Sequence, residues 1–442
     1  MQNELAKDYN LRSLLRFTLP TITMLIFVAT YTIVDGIFVS RCIGTDALSA
    51  INIVFPLINI MIGVGIMLGT GGSAIIARKL GEGNVEGARR SFTLIAIFAT
   101  VLGLIISGTC YTFITPLCRF LGANDALMPY CVKYGEILMS LYFVAVIQVL
   151  FQTLFVTAGK PHIGLWLNAV SGIANIFFDY LFIVVMDMGI AGAAWGTASS
   201  FLIGGFFPLW YFSKPRANLY FVKPNWDGKV ILDSILNGSS EMVTSAAMAV
   251  TTFLFNLTMM KTLGQNGVAA ITIILYAQFL FSAAYMGFAN GAAPIFSFIF
   301  GNQDARRMKK MFKMCVQIIL VSSVAVSVFS FFMATPTIKI FTPKNTAAYQ
   351  IALHGYHIFA WNFLFAGINI FTSSFFTALS NGKMSAIISF LRTFLFVIVC
   401  IVLLPHIFGI NGIWLAIPIA EGLTAILAIS LLFIGNKQYH YF

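Results

Sequence analysis

Long apolar stretches alternate with short polar or glycine-containing breaks along the whole chain. Such runs suit helices that cross a bilayer, each needing about 20 apolar residues. They do not show the period-two alternation of an outer-membrane barrel. Twelve spans are predicted, at 14–39, 48–77, 91–116, 132–158, 162–186, 190–212, 232–261, 267–299, 311–334, 347–378, 384–404 and 412–434. Several exceed the minimum and should tilt or protrude.

Polar residues interrupt this pattern at informative places. The fifth span contains "SGIANIFFDYLFIV", in which Asn168, Ser171, Asn175 and Asp179 fall on one helical face. A polar stripe on a spanning helix must face protein or water, since a carboxylate in hydrocarbon costs at least a few kcal/mol. Asp179 lies about 17 residues from the inner start of its span, roughly 25 Å along a helix axis. Asp35, in "TIVDGIFVSR", reaches a comparable depth in the first span, and Thr197 follows in the sixth. Two carboxylates in a low-dielectric pocket do not both stay ionised alone: one takes a proton, or a cation such as Na⁺ binds between them. That is the chemistry of an ion-coupled antiporter. The competing reading of Asp35 is an interfacial anchor near its helix end. Pro20, early in the first span, removes a backbone donor and permits a bend in the helix that carries Asp35.

The chain also repeats itself. At a shift of 220 residues Gly44 falls on Gly264, Ala50 on Ala270, Gly71 on Gly291, Gly81 on Gly301, and Arg89–Arg90 on Lys309–Lys310. "GIAG" at 189 falls on "GING" at 409, while "TAGKP" meets "LSNGKM" at a shift of 223. The two halves are six-span repeats of the same orientation, related by an axis along the membrane normal. The predicted architecture is an all-α integral membrane protein of twelve helices around a central cleft: an N-terminal lobe (1–213), a linker (214–231) and a C-terminal lobe (232–442). Asp35 maps to Phe255, and Asp179 to Val399 or Val402, so the coupling carboxylates are expected in the N-terminal lobe alone.

Composition agrees with this picture and adds an orientation. The chain is 59% hydrophobic and only 9% charged, against about a quarter charged in soluble proteins. With the N-terminus inside, the inner segments hold 19 Lys and Arg and the outer ones 6, leaving Arg392 within a span. The positive-inside rule then places both termini in the cytoplasm. It also accounts for the net charge of +11 without any nucleic acid. The polar start, "MQNELAKDYNLRSLLRF", predicts no cleavable signal. Six scattered cysteines lack metal spacing and read as packing residues; Cys118 and Cys131 flank one loop, but no disulfide is expected. No cofactor is expected.

Other intramembrane polar groups are candidates of a second kind. Glu241, in "NGSSEMV", is either a second proton or cationic-substrate site or a buried partner for Arg392. Glu421 reads as structural, and His354 and His357 as interfacial. Gln148, Gln152, Gln278, Met286 and Asn290 lie on spans expected to border the cleft, where adaptable apolar contact suits promiscuous binding.

The early "LP", "VDGIFVSRCIGTDALSA", "NIFFD" and "GIAGAAWGTA" resemble the multidrug and toxic compound extrusion (MATE) family, especially its bacterial MepA-like and DinF-like members. The resemblance covers nearly the whole chain and is loose in the third and ninth spans. It implies an exporter of hydrophobic, often cationic drugs driven by H⁺ or Na⁺, monomeric, in a bacterial inner membrane. The DinF-like site then falls on Asp35, Asn175, Asp179 and Thr197, and Pro20 matches the family's helix-bending proline. NorM-like members place a carboxylate in the tenth span, whereas residues 347–378 contain no Asp or Glu, which argues against a Na⁺ site there. A lipid-linked oligosaccharide flippase of the same superfold would need several cavity Arg or Lys to meet pyrophosphate. A membrane enzyme would need clustered catalytic groups at membrane depth. An ATP-driven pump would need a Gly-rich phosphate loop. Arg392 is the one clear intraspan arginine, so the flippase stays the alternative reading; the histidines lie isolated at span ends and no phosphate loop appears, so neither of the other two is supported.

Overall fold

In hydrocarbon only a helix or a closed barrel bonds its own backbone, and the apolar runs have folded as helices. The computed structural model describes residues 4–43, 45–215 and 218–442; the side chains at 33, 35–41, 45, 46, 48 and 249 lie outside that description. The Asp35 carboxylate is therefore outside the described residues, as is Gly44. The first half comprises α1 (Leu11–Cys42), α2 (Thr45–Gly81), α3 (Val85–Thr112), a short α4 (Ile114–Phe120), α5 (Met128–Thr157), α6 (Pro161–Asp179) and α7 (Gly189–Phe212). The second comprises α8 (Gly228–Gly301), α9 (Ala305–Phe341), α10 (Ala347–Phe359), α11 (Phe363–Ala378), α12 (Gly382–Phe390), α13 (Phe396–Phe408) and α14 (Ile410–Tyr439).

Among the described residues eleven helices are long and apolar enough to cross a membrane. The count differs from twelve because the seventh and eighth spans join in α8, an element of 74 residues. Straight, it would extend about 110 Å, far beyond a bilayer core of about 30 Å. Gly264 breaks it, with φ 63° and ψ −152°. Gly409 turns α13 into α14 in nearly the same conformation, φ 57° and ψ −138°. Such backbone is open to glycine and strained for other residues.

Three further departures concern helix interiors. The third span ends at Thr112, before the expected 116, and a separate short helix follows. The tenth span is α10 and α11 joined through a 3₁₀ turn at Ala360–Asn362. The fifth and eleventh spans each contain a π-helical segment, Tyr180–Val185 directly after Asp179 and Leu391–Leu395 around Arg392. π segments are rare and cluster at functional sites. Hydropathy cannot register them, because they change hydrogen-bond register and leave the apolar content untouched.

The halves meet most extensively through α2 and α8. Four glycines make this contact a backbone one at the end of the bundle that carries the termini. A Cβ at Gly81 would overlap the Phe298 carbonyl, and one at Gly301 would overlap the Arg78 carbonyl. Each glycine thus sits on the carbonyl three residues before the other, as a two-fold relation between repeats requires. Gly71 lies on the Ser234 carbonyl and Gly238 on that of Met67.

Two chain segments strap this closed end. Before α1, Arg307 of α9 donates to the carbonyls of Ala6 (3.1 Å) and Lys7 (2.7 Å), and Lys310 pairs with Asp8 at 2.8 Å. Before α8, Arg89 of α3 donates to the Asn218 carbonyl at 2.8 Å and lies 4.2 Å over the Tyr220 ring. The Val222 amide donates to Thr93 Oγ1 at 3.1 Å. The hydrogen bond from Lys310 holds the Asp8 carboxyl below its usual range. That contact contributes above the ordinary Asp pKa of about 3.9 and is lost as pH falls through the lowered folded value, so it persists at neutral pH. Arg307→Ala is expected to cost at most about 1 kcal/mol, because the contacts are solvent-screened. Limited proteolysis of the arm should nevertheless accelerate.

Candidate functional site

Pro161 opens α6, where its missing N–H leaves no helical bond unmade. The helix then divides into opposite faces. Trp166 is 70% exposed and Ile173 62%, whereas Asn168, Ser171, Asn175 and Asp179 are each 4% or less. The polar stripe therefore points into protein and the apolar face outward, the arrangement that hydrocarbon demands.

Small residues bring the neighbouring helices onto that stripe. Gly172 packs on the rings of Phe27 and Tyr31 of α1, and a Cβ there would approach Phe27 to 2.6 Å. Gly196 of α7 lies against the Asp179 carboxylate, which any larger residue would displace. Thr197, the next residue, is half-buried, and its carbonyl accepts from Ser200 Oγ at 2.7 Å. In α1, Asp35 follows Tyr31 by four residues, but its side chain lies outside the described residues. Ser171 Oγ and Asn175 Nδ2 are buried with no hydrogen-bond partner among the described residues. Unmet polar groups beside a buried carboxylate mark a place where a small polar species gains bonds.

The remaining candidates fall in different places. Gln152 joins the stripe, donating to Asn168 Oδ1 at 2.6 Å. Gln148 is buried against Gly204 of α7, inside the first half. Pro20 lies within α1, half-buried. Beside it, Gly287 of α8 packs on the backbone of Thr21 and Ile22, and Gly291 on Thr18. A bend at Pro20 would thus act directly on the contact between halves. Gln278 and Met286 are half-buried on α8. Asn290 and Glu241 line a small cavity between the halves, of about 10 Å³, together with Thr70, Ser73, Thr153 and Thr377.

One cluster was missed by sequence reasoning. Glu421 Oε1 lies 2.7 Å from Arg392 Nη2, and Arg392 Nε donates to both carboxylate oxygens. Asn369, fully buried, donates to Glu421 Oε2 at 2.6 Å and to its backbone carbonyl. The partner of Arg392 is thus Glu421; Glu241, the alternative weighed from sequence, has no side-chain bond to it. The available signal was a lone arginine in a span, which must find a carboxylate. Glu421→Gln should lower the melting temperature sharply, by an amount equivalent to about 3–5 kcal/mol, since it strands a buried charge. Removing both partners should cost much less. His354 Nε2 pairs with Asn411 Oδ1 at 2.8 Å and His357 stacks on Phe331. No metal-binding cluster occurs among the described residues, and all six cysteines are free.

Residues 20–181 and 241–403 both match the family model MatE. The multidrug export protein MepA of Staphylococcus saprophyticus is 23% identical over 428 residues, spanning 96% of this chain and 93% of that protein. MepA of Staphylococcus haemolyticus is 25% identical over 437 residues, with the same coverage. An outward-facing structure of a multidrug resistance MATE family transporter of the MOP superfamily superposes with a TM-score of 0.93 at 22% identity, covering 100% of this chain and 99% of that one. MATE structures described as straight and bent superpose at 0.92 (20% identity; 100% of each chain) and 0.89 (21% identity; 99% of this chain and 97% of that one).

Proposed function

The chain belongs to the MatE family, and from that premise we propose that it is a secondary active multidrug efflux antiporter. It exports hydrophobic, often cationic compounds from a bacterial cytoplasm in exchange for H⁺ or Na⁺. It acts as a monomer, with both termini cytoplasmic, and it performs no enzymatic step. The name of the MepA relatives supports the substrate class.

The observation that carries the reading is the buried stripe ending in Asp179, with Asn175 Nδ2 beside it unpartnered among the described residues. An amide serves either coupling ion. Its N–H donates to a bare carboxylate, and after rotation its oxygen ligates Na⁺. Asp35 supplies the second carboxylate and Thr197 a further oxygen. Uptake of the ion removes one negative charge from the pocket and draws α1, α6 and α7 together. Because α1 bears on Gly287 and Gly291 of α8 beside Pro20, this local change reaches the contact between lobes. The flippase alternative gains no support, since the intraspan arginine is already neutralised by Glu421.

The test is ethidium efflux from cells expressing wild type, Asp35→Asn and Asp179→Asn, with external pH and Na⁺ varied independently. Efflux should follow one of the two gradients and disappear in both variants. Undiminished efflux in both would refute the N-terminal site.

A further inference from the structure

Helices α3 and α9 hold the same place in the two repeats. At the 220-residue shift Glu86, Arg89, Arg90 and Thr93 fall on Arg306, Lys309, Lys310 and Lys313. On α3 the protein uses all four itself. Glu86 pairs with Arg90. Arg89 donates to the Asn218 carbonyl and lies over the Tyr220 ring, and the buried Thr93 accepts from the Val222 amide. The linker before α8 thus lies along the start of α3, and the charges there are met.

The start of α9 is left open. Lys310 is taken by Asp8, and Arg307 by the carbonyls of Ala6 and Lys7. Asp304 caps the helix, accepting from the Arg307 amide at 2.9 Å. Arg306, Lys309 and Lys313 are exposed, and none of their side chains makes an ion pair or hydrogen bond among the described residues. Asp8 feels Arg306 as well, but its carboxylate is bonded to Lys310. The face that bears Arg306 and Lys313 continues through Gln317, Leu320, Val324 and Val328, all exposed and all at helical spacing. Three cations thus stand at the end of a lipid-facing aliphatic stripe. Arg306 to Lys313 spans roughly 10 Å of helix axis, comparable with a headgroup layer of about 5–8 Å.

We propose that the start of α9 is a binding surface for an anionic phospholipid of the surrounding bilayer. Arg306, Lys309 and Lys313 receive its phosphodiester, and an acyl chain lies along Leu320, Val324 and Val328. Basic residues collect at this end of any membrane protein oriented in the same way. What singles out α9 is the contrast within one chain: the matching groups on α3 are paired or covered, whereas these face lipid. Clustered cations beside a spanning helix attract anionic headgroups, and their long stems lie along apolar surface while the charged ends reach the phosphate. The second lobe is thereby anchored to headgroups at this end and the first is not. The inference is independent of the drug-export reading.

The experiment titrates phosphatidylglycerol into the purified full-length protein in micelles of an uncharged detergent. Bound lipid is counted by native mass spectrometry, and folding is checked by gel filtration. Replacing Arg306, Lys309 and Lys313 together by Gln should weaken binding about a hundredfold, at about fivefold per cation. Replacing Lys214, Lys223 and Lys229 by Gln removes the same charge from exposed positions in and beside the linker and should stay within about twofold of wild type, because those positions lie off the stripe. Asp8→Asn frees Lys310 for the lipid and should tighten binding about fivefold. Glycerol phosphate, a headgroup without chains, should not displace the lipid at equal concentration. Equal losses in the two triple variants would mean attraction by net charge alone and overturn the proposal. So would displacement by glycerol phosphate, which would make this a site for free phosphate esters. A wild-type protein that binds no phosphatidylglycerol also overturns it and leaves the patch to an acidic protein partner.

Discussion

Asp179→Asn is expected to abolish ion-driven efflux, by at least about a hundredfold, while the protein remains folded and abundant in the membrane. The asparagine keeps the shape of the carboxyl group and removes a charge whose burial is costly in a bilayer, so stability should hold or rise. What is lost is one of the two carboxylates proposed to exchange a positive charge with solvent, and no described neighbour of Asp179 replaces it. Ser171 and Asn175 are neutral, and Asn168 is already bonded to Gln152. Gly196→Ala provides an independent check on the geometry. It leaves every ionisable group in place but puts a methyl where the Asp179 carboxylate lies. Efflux should fall by about tenfold or more, and the ion concentration for half-maximal rate should rise. If Gly196→Ala transports like wild type, the carboxylate does not work from the place it occupies here.

The second large effect concerns the contact between lobes. Gly81→Leu and Gly301→Leu each insert a side chain into a carbonyl of the opposite lobe. No rotamer relieves this, because the obstruction is backbone on both sides. The closed end that carries the termini should then open, and transport should fall below about a tenth of wild type, since alternating access needs both states. Thiol labelling of a cysteine placed at Ser73, in the cavity between the lobes, should accelerate from the side of the membrane that carries the termini. Gly228→Leu is the control: a Cβ there meets nothing within 4 Å, and it should change neither rate. Equal labelling in all three variants would mean that the seam does not hold that end shut.

Much of this was legible in the residue pattern, and the remainder was hidden for identifiable reasons. Spans and repeat were readable because lipid imposes a length on every helix, and because a backbone crossing tolerates only glycine at positions such as Gly81 and Gly301. The stripe from Asn168 to Asp179 was readable because its spacing matches one helical face. The π segment after Asp179 was not, since "YLFIVV" has the composition of any spanning helix. Neither was the junction at Gly264, where the predicted spans stop at 261 and resume at 267 and the structure breaks the helix at one residue. The Arg392–Glu421–Asn369 cluster joins three helices 23 to 52 residues apart in sequence. Periodicity speaks only within one helix, so each of the three read as an isolated oddity. Gln148 reads from sequence as a candidate on a span bordering the cleft, and a Cβ at Gly204 would meet its side chain, a packing contact that periodicity does not reveal.

The central claim is that a cation entering the Asp179 pocket drives substrate export. Its most direct test is ethidium movement in liposomes containing only the purified protein, with a pH gradient or a Na⁺ gradient imposed across the bilayer. The account predicts substrate movement against its own gradient in one of these two conditions, absent with neither gradient and absent in Asp179→Asn under both. Movement that ignores both gradients, or that persists unchanged in Asp179→Asn, would contradict it.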